Sequence, residues 1–374
     1  MNHSGKSLGQ FNNTHRIERG PSQLKILEVV SGLKLGGSEI FLSKRTMYAE
    51  QFVHTGILNS NKKFKEVKFP THLDYYESPK NLIGFGIKIK KVIRTFDPEI
   101  IIVRTPVHAI LLTTIYRRMI REIKLVYEVG SEITSESKYK AILLDFIIPR
   151  INPKINLHIA CSNRSAKSVV CKNASKIEVV YFGADVNLRA IPTNQDSDGP
   201  IFLILGRLVP NKQPFLIFQA VYSLQSNFRQ MSAKVIFAGD GPLLAKLQDL
   251  IRDNHLDDFI EAKGRVEDPN PILASSDVLI NFSLSEGLPI SFFEAKQHGL
   301  RVLSSPSGGT SEITDELDVI TKTFTESELQ NQLKSQLLIG KVDSEQRELQ
   351  KRTNSKFALS NTSKYYYEIL RNTF

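Results

Sequence analysis

Short apolar runs alternate with amphipathic stretches along most of this 374-residue chain, and this alternation constrains the fold more than any other feature. Runs such as Leu24–Val30 are typical of buried strands, whereas Leu82–Phe96 has the periodicity of a helix that buries one side. Strands that alternate with helices predict βαβ units and parallel sheets, so the chain belongs to the α/β class. The predicted strands are Leu24–Val30, Glu99–Arg104, Lys124–Val129, Leu157–Cys161 and Lys176–Tyr181 in the first half, and Ile201–Leu205, Lys234–Ala238, Phe259–Ala262, Val278–Phe282 and Arg301–Ser304 in the second.

A segment rich in Pro, Asn, Asp, Ser and Gly interrupts the alternation near the middle of the chain, which is typical of a linker. The length allows two domains of ordinary size on either side of it. We predict the following division: a loose tail over 1–22, a first domain over 23–190, a linker over 191–200, a second domain over 201–352, and a final segment over 353–374 whose helix is expected from about Asn354 to Leu370. The first 20 residues lack an apolar core, so no signal peptide is expected.

Charge is distributed unevenly between the two halves. The chain has a net charge of +10; residues 1–190 carry 30 Lys and Arg against 16 Asp and Glu, and the remainder is slightly acidic. The basic residues fall in clusters, at 62–68, 88–94 and 117–121, with phenylalanines among or near them. Such a basic face can bind an anionic membrane surface or nucleic acid, or it can be a set of solvated helix faces.

Two glutamates, Glu286 and Glu294, stand eight positions apart after the predicted strand Val278–Phe282. The turn Gly287-Leu288-Pro289 separates the first glutamate from a helix start. One carboxylate is therefore expected on a loop and the other about one turn into the helix. Both would border the crevice at the carboxyl end of a parallel sheet, where open α/β folds bind ligands. Paired acids there suit a hydroxyl-rich ligand, although acids are also favoured at helix starts by the helix dipole alone.

A basic loop follows the first strand of the second half. Its sequence runs from Gly206 and Arg207 to Lys212. Arginine offers a planar fork of donors and lysine a point charge, a combination that suits a diphosphate and its developing negative charge. Gly239, in the turn after the next strand, is expected to shape the wall of the crevice.

These motifs, in this order, resemble those of the retaining glycosyltransferases of family 4, over about residues 26–369. The resemblance implies the GT-B fold: two Rossmann-like doubly wound domains face a central cleft, and a C-terminal helix crosses back to the first domain. It also implies that Glu286 contacts the transferred sugar, that Glu294 binds the ribose hydroxyls of the donor, and that Arg207 and Lys212 bind the diphosphate. Gly206, Gly239, Gly287, Leu288 and Pro289 are then expected to line the donor site, together with Gly36 and Gly37, which resemble the family's first glycine loop.

The chain departs from the family pattern on the acceptor side. Many relatives have a histidine after the strand that corresponds to Lys124–Val129, and this chain has Gly130, Ser131 and Glu132 there. Other relatives keep a glutamate within that strand, with which Glu128 is compatible. Glu128 is therefore the predicted acceptor-side catalytic residue. Glu132, His108 or none of them remain alternatives, and His298 is expected to be structural.

The resemblance predicts an enzyme that moves a sugar from a UDP- or GDP-sugar to a saccharide acceptor, lipid-linked in bacterial O-antigen or capsule assembly. We expect it to be cytoplasmic, bound to an anionic membrane surface through its basic first domain, with no nucleic acid partner. No metal or other cofactor is expected, because no His and Cys residues have ligand spacing. A nucleotide-sugar epimerase of the same fold, and a non-catalytic binding protein on a degenerate scaffold, remain as alternatives.

Overall fold

Two parallel β-sheets form the framework of the chain. The computed structural model describes residues 23–31, 37–49, 53–61, 69–70, 73–79, 81–130, 146–184 and 198–374. The first sheet contains β1 (Leu24–Val30), β2 (Val53–Asn59), β3 (Asp74–Glu77), β4 (Ile100–Val103), β5 (Lys124–Val129), β6 (Leu157–Ala160) and β7 (Ile177–Val179). The second contains β8 (Ile201–Leu205), β9 (Lys234–Ala238), β10 (Ile260–Gly264), β11 (Val278–Asn281), β12 (Arg301–Ser304) and β13 (Val319–Ile320).

Helices connect successive strands. In the first half they are α1 (Gly37–Ala49), α2 (Leu82–Phe96), α3 (Pro106–Thr113), α4 (described over 146–151) and the four-residue α5 (Asn163–Ala166). In the second half they are α6 (Pro214–Ser223), α7 (Gln225–Gln230), α8 (Leu244–Asp253), α9 (Asn270–Ser275), α10 (Ile290–Gln297), α11 (Glu326–Ile339), α12 (Ser344–Asn354) and α13 (Leu359–Thr373). None of these described helices has the length and apolar composition needed to cross a bilayer.

The strand order makes both sheets doubly wound. It is β3-β2-β1-β4-β5-β6-β7 in the first sheet and β10-β9-β8-β11-β12-β13 in the second, and every pairing is parallel. The order reverses between β1 and β4 and again between β8 and β11. Open α/β sheets bind ligands at such reversal points, beyond the carboxyl ends of the strands. The predicted fold class is thus confirmed, and the second reversal point lies between the strands that precede the two main predicted motifs.

Three strands and the helices α3, α4, α5, α7, α9 and α12 escaped prediction. The strands and α12 lack apolar periodicity, and α5, α7 and α9 have only four to six residues. β2 is interrupted by His54, Thr55 and Gly56, and the edge strand β3 reads Asp-Tyr-Tyr-Glu. The third strand, β13, has only two residues. The helix α12 buries the polar residues Gln350 and Asn354, so its sequence shows no apolar stripe. The helix α3 is apolar on all sides, with a buried His108. The amphipathic α2 was predicted with its observed bounds.

The final helix packs on the first sheet although the chain reaches it from the second domain. Tyr366, Tyr367 and Leu370 of α13 belong to the same buried cluster as Ile26 of β1 and Ile100 of β4. This arrangement confirms the predicted return of the C-terminal helix. The apolar face of α13 is complementary to the first sheet, so burial of this face holds the C-terminal helix against the first domain.

The domains also share a small apolar core where the chain passes between them. Ala184 and Ala358 form a parallel bridge, in which the N–H of Leu359 donates to the carbonyl of Ala184 at 3.0 Å. Phe182 of the first domain and Phe293 of α10 belong to one buried cluster. The tail over 1–22 and most of the predicted linker, 191–197, lie outside the described residues.

Candidate donor site

The predicted donor residues converge at the order reversal of the second sheet. Strands β8 and β11 are direct neighbours, with Phe202 paired to Val278 and Leu203 to Leu279. The loop that carries Arg207 and Lys212 leaves the carboxyl end of β8, and the loop that carries Glu286 leaves the carboxyl end of β11. Two segments that are 74 residues apart in sequence, at Lys212 and Glu286, are therefore adjacent in space.

A direct ion pair joins these two loops. The ammonium of Lys212 donates to a carboxylate oxygen of Glu286, and both side chains remain partly accessible, at 24% and 15% of their area. Backbone contacts fix the loops to each other: the N–H of Leu284 donates to the carbonyl of Asn211 at 2.8 Å, and the Asn211 amide donates to the carbonyl of Ser285 at 2.8 Å. An ammonium has three donors, so Lys212 can hold Glu286 and still reach an anionic ligand.

Arg207 is an available cation beside this pair. Its side chain is exposed, and within the described parts of the chain its guanidinium has no hydrogen-bond or ion-pair partner. It follows Gly206, whose φ of 144° lies in a region that side chains avoid. At Gly239 a Cβ would overlap the carbonyl oxygen of Gly206, so the loops after β8 and β9 can lie in contact only because this residue is glycine. Gly206 and Gly239 thus shape the wall that presents Arg207.

Glu294 lies one turn into α10, which begins directly after Pro289. It is half-buried, and no described residue donates a hydrogen bond to its carboxylate. Burial raises the pKa of Glu294, and the positive charge of Lys44 on α1 opposes the rise. A partly desolvated carboxylate that lacks donors is well suited to accept hydrogen bonds from ligand hydroxyls.

A buried ion pair holds α10 in place. Lys296 is fully buried, and its ammonium lies 2.8 Å from both carboxylate oxygens of Asp318 and 2.7 Å from Asp315. Two residues before it, Glu294 is half-buried within range of the Lys44 charge on α1, while Phe292 and Phe293 are buried in the core. These buried residues fix the rotation of α10 about its axis, and this rotation sets the direction of the Glu294 side chain.

The turn between the two glutamates is supported by the loop after β12. The N–H of Gly309 donates to the carbonyl of Gly287 at 2.9 Å. Leu288 is buried in the core that the two domains share, so its side chain anchors the turn rather than facing a ligand. Pro289 has extended backbone angles immediately before α10, which sets the direction of the helix. Of the three turn residues, Gly287 is the one that directly follows Glu286.

The first domain contributes less to the described site than the sequence predicted. Gly37 is the first residue of α1, and its neighbour Gly36 lies outside the described residues, as do Ser131, Glu132 and the lysines at 62–68. Neither the donor role of Gly36 nor an acceptor role of Glu132 can be located in the structure. Lys44 is the described residue of α1 whose charge reaches Glu294.

Glu128 lies in a buried ion-pair network and not at an open site. Its carboxylate accepts from Arg45 at 2.9 Å, from Arg104 at 2.8 and 3.0 Å, and from the hydroxyl of Tyr366 at 2.7 Å. Arg45 and Arg104 also pair with Glu28 of β1. Burial would raise the pKa of Glu128, but the two guanidinium groups and these hydrogen bonds hold it well below its usual range.

This geometry favours a structural role for Glu128 over the catalytic role that the resemblance implied. The network links residues in or next to β1, α1, β4, β5 and α13, and both oxygens of the carboxylate accept from donors within it. Sequence reasoning did not identify Glu28, Arg45, Arg104 or Tyr366 as parts of one network. The available signal was the acid at position 28 within an otherwise apolar strand, because such an acid needs a buried partner.

The histidines that were considered for the site are packed as structural residues. His108 stacks on Phe85, with ring centroids 4.9 Å apart, and its Nδ1 lies 2.9 Å from the Thr105 hydroxyl. Burial lowers the pKa of His108 to about 4. His298 ends α10 and contacts the Asn270 side chain at 3.0 Å. Within the described residues, no group of three His, Cys, Asp or Glu side chains is placed to hold a metal ion.

Comparison with known proteins finds a family model that matches most of the second half of the chain. Residues 189–355 match the family model described as "Glycosyl transferases group 1". An uncharacterised glycosyltransferase of Methanocaldococcus jannaschii is 26% identical over 247 residues, which are 61% of this chain and 60% of that protein. The UDP-Gal:α-D-GlcNAc-diphosphoundecaprenol α-1,3-galactosyltransferase of Escherichia coli is 28% identical over 182 residues, 44% of this chain and 47% of that protein. The chain therefore spans about half to three fifths of the length of these relatives.

The structure resembles solved structures over nearly its whole length. HepE of Anabaena, solved in complex with UDP, matches with a TM-score of 0.77 and 19% identity, over 93% of this chain and all of that one. Similarity at this level of identity concerns the fold, and it agrees with the two facing doubly wound domains of the GT-B architecture. The match to the glycosyl transferases group 1 model covers most of the second domain and less than half of the whole chain.

Proposed function

We propose that this chain is a group 1 glycosyltransferase that moves a sugar from a nucleoside diphosphate sugar to a saccharide acceptor, with retention of the anomeric configuration. The observation that carries the proposal is the contact between Lys212 and Glu286 at the order reversal of the second sheet, with Arg207 in the same loop as Lys212 and Glu294 in the helix that follows Glu286. Two cations and two carboxylates there complement a ligand that has both a diphosphate and hydroxyl groups.

Each residue has a chemical task in this proposal. Arg207 and Lys212 bind the diphosphate and stabilise the negative charge that develops on it as it leaves. Glu294 accepts hydrogen bonds from the ribose hydroxyls. Glu286 accepts from hydroxyls of the transferred sugar and, through its ion pair, positions the Lys212 ammonium.

The proposed reaction is a front-face displacement. The acceptor hydroxyl attacks the anomeric carbon from the side on which the diphosphate departs. The bond between the anomeric carbon and the diphosphate oxygen breaks, the new glycosidic bond forms, and the acceptor proton passes to the departing phosphate. This route needs no carboxylate nucleophile, and Glu128 is assigned to holding the first domain together.

The donor proposed first is a UDP-sugar. The Escherichia coli relative is named for a UDP-Gal donor, and the Anabaena protein was solved with UDP. Thermal-shift titration with UDP-, GDP-, ADP- and dTDP-sugars tests this choice, because a ligand that binds the folded state raises the unfolding temperature. Stabilisation by UDP-sugars alone would support the proposal. Selective stabilisation by another donor would show that the donor nucleotide carries a base other than uracil. A lack of any shift would favour a non-catalytic scaffold.

Turnover distinguishes transfer from related activities. We expect Lys212→Ala to lower kcat by about 10²–10³-fold, because it removes a donor to the developing charge. Lys334→Ala, at an exposed lysine of α11, is the matched control and should leave kcat unchanged. Full activity of Lys212→Ala would refute the assignment. Conversion of the donor without any acceptor would instead indicate a nucleotide-sugar epimerase.

We further propose a lipid-linked acceptor at the cytoplasmic face of a bacterial membrane, in assembly of a surface polysaccharide such as O-antigen or capsule. The Escherichia coli relative is named for an acceptor on diphosphoundecaprenol. In this chain, Ile83 and Ile87 of α2 are 77% and 68% exposed at four-residue spacing, and Lys90, Lys91 and Arg94 follow on the same outward side. Exposed apolar residues beside basic ones suit an anionic lipid surface.

Sedimentation with vesicles tests this membrane surface. Vesicles of phosphatidylglycerol and phosphatidylethanolamine should retain the protein at low salt and release much of it at high salt. The double variant Ile83→Glu with Ile87→Glu should lose retention. Leu338→Glu, at an exposed leucine of α11 in the second domain, should not. Equal retention of all three proteins would refute α2 as the contact.

A further inference from the structure

Three segments that contain none of the predicted donor residues meet in one contact between the domains. The carboxylate of Glu312, in the loop after β12, receives four hydrogen bonds from the first domain. The donors are the backbone N–H of Asn163 at 2.7 Å, the Asn163 amide at 2.9 Å, the backbone N–H of Arg164 at 2.9 Å and the Tyr181 hydroxyl at 3.0 Å. We call this arrangement the Glu312 contact.

Two of the four donors are backbone N–H groups at the start of α5, and the other two are side chains in contact, since the Asn163 amide also donates to the Tyr181 hydroxyl at 3.0 Å. Asn163 and Arg164 are the first residues of α5, whose opening N–H groups have no acceptor within the helix. Ser162 caps the N–H of Ser165 instead. A negative charge at this position also suits the helix dipole. The first domain therefore presents a set of donors that a carboxylate from the second domain satisfies.

The Glu312 contact is linked to the donor turn through a short path. The N–H of Glu312 donates to the carbonyl of Gly309 at 3.0 Å, and the N–H of Gly309 donates to the carbonyl of Gly287, directly after Glu286. Gly309 also lies against Ser162 of the first domain so closely that a Cβ would overlap the Ser162 side chain. The loop is thus held between Ser162 on one side and the Glu286–Gly287 turn on the other.

We propose that Glu312 is a positioning residue, which holds the two domains in the arrangement where the Glu286 turn faces the first domain. The charge of Glu312 makes its hydrogen bonds stronger than those between neutral groups. Because the loop touches both the first domain and Gly287, loss of the contact changes where the acceptor domain stands relative to the transferred sugar. This role in transfer rests on the proposed function; the contact between the domains does not.

Hydrogen exchange measures the contact without any activity. In the full chain, Glu312→Ala should make the backbone amides of Asn163 and Arg164 exchange about tenfold faster or more, because their hydrogen bonds to the Glu312 carboxylate would be lost. Glu316→Ala, at an exposed acid four residues further on, is the control and should leave these amides protected. Unchanged exchange in Glu312→Ala would overturn the proposal.

Kinetics measures the consequence. Glu312→Ala should lower kcat for transfer about tenfold, in the usual range of coupling between sites, while its affinity for UDP stays within about threefold of the wild type. Tyr181→Phe, which removes one of the four hydrogen bonds, should produce a smaller loss. If the amides of Asn163 and Arg164 exchange faster in Glu312→Ala but its kcat equals that of the wild type, the positioning role would be overturned.

Failure of the proposed function gives a different pattern. If the wild-type protein transfers no sugar from any donor, the proposed function fails, and small-angle scattering then decides the positioning proposal. A larger radius of gyration for Glu312→Ala than for the wild type and Glu316→Ala would support it. Identical radii for all three would overturn it.

Discussion

Substitution of Glu128 by glutamine separates a structural role from a catalytic one. In the wild-type protein, the Glu128 carboxylate accepts from both guanidinium groups and from Tyr366. A glutamine has one accepting oxygen, and its NH₂ group would face donors, since a guanidinium offers no lone pair. Two buried arginines would then share the single negative charge of Glu28.

The expected cost follows from this uncompensated charge. Breaking a buried ion pair by removal of one partner destabilises a protein by about 3–5 kcal/mol. For a domain of the size of the first one, this corresponds to an unfolding midpoint about 6–20 °C lower. The pKa of Glu128 is held below its usual range. The wild type should therefore exceed Glu128→Gln in free energy of unfolding by the full amount above about pH 4.5, and this difference should shrink as the pH falls below that value.

The assay combines urea unfolding at pH 7 with single-turnover kinetics of the folded variant. We expect Glu128→Gln to lose stability as above and to keep a kcat within about tenfold of the wild type, because it removes no group from the reacting centre. Glu122→Gln, at an exposed acid of the same domain, should change neither. Wild-type stability together with a kcat at least about 10³-fold lower would refute the structural reasoning and restore the catalytic prediction.

Three further outcomes can be measured. Glu294→Ala should weaken UDP binding about tenfold or more in isothermal titration, since the hydrogen bonds to the ribose would be lost, and unchanged affinity would remove Glu294 from the site. Burial lowers the pKa of His158 to about 4, so the free energy of unfolding should fall as the pH drops from about 6.5 to 4, by about 3 kcal/mol for this residue. In urea titrations at several pH values, His158→Gln should remove this part of the dependence and leave the parts due to His108 and His298, whose pKa values are also lowered to about 4. Gly239→Ala should lower both the unfolding midpoint and the UDP affinity, because its Cβ would overlap the Gly206 carbonyl, and a variant with wild-type values of both would contradict that packing.

Much of the fold was readable from periodicity because burial on both faces of a parallel sheet selects continuous apolar runs. The central strands β1, β4, β8, β9 and β11 follow such runs, and their alternation with helices implies the parallel order. The polar β3 and α12 were missed because they pack through polar residues or at an edge. Local sequence does not encode which neighbour will satisfy those polar groups.

The donor site was predictable for a related reason. Arg207 and Glu286 lie two and five residues after the ends of β8 and β11, and a parallel sheet gathers such ends at one edge. Lys212 follows in the same loop as Arg207, and Glu294 lies in the helix after Glu286. Their proximity in space is therefore a consequence of the strand pattern. The ion pair shows that Lys212 and Glu286 are in direct contact. Their roles in transfer stay predictions.

The sequence by itself determined the α/β class, the two-domain pattern and the residues gathered at the carboxyl edge of the second sheet, because all three depend on local periodicity and strand order. Only the tertiary structure decided that Glu128 is enclosed by Arg45, Arg104 and Tyr366, and that Glu312 meets Asn163 and Tyr181. The partners of Glu128 come from three segments and lie up to 238 residues from it in sequence, and Glu312 reaches across 149 residues. A carboxylate takes its role from the donors that surround it, and those donors come together only when the domains fold and dock.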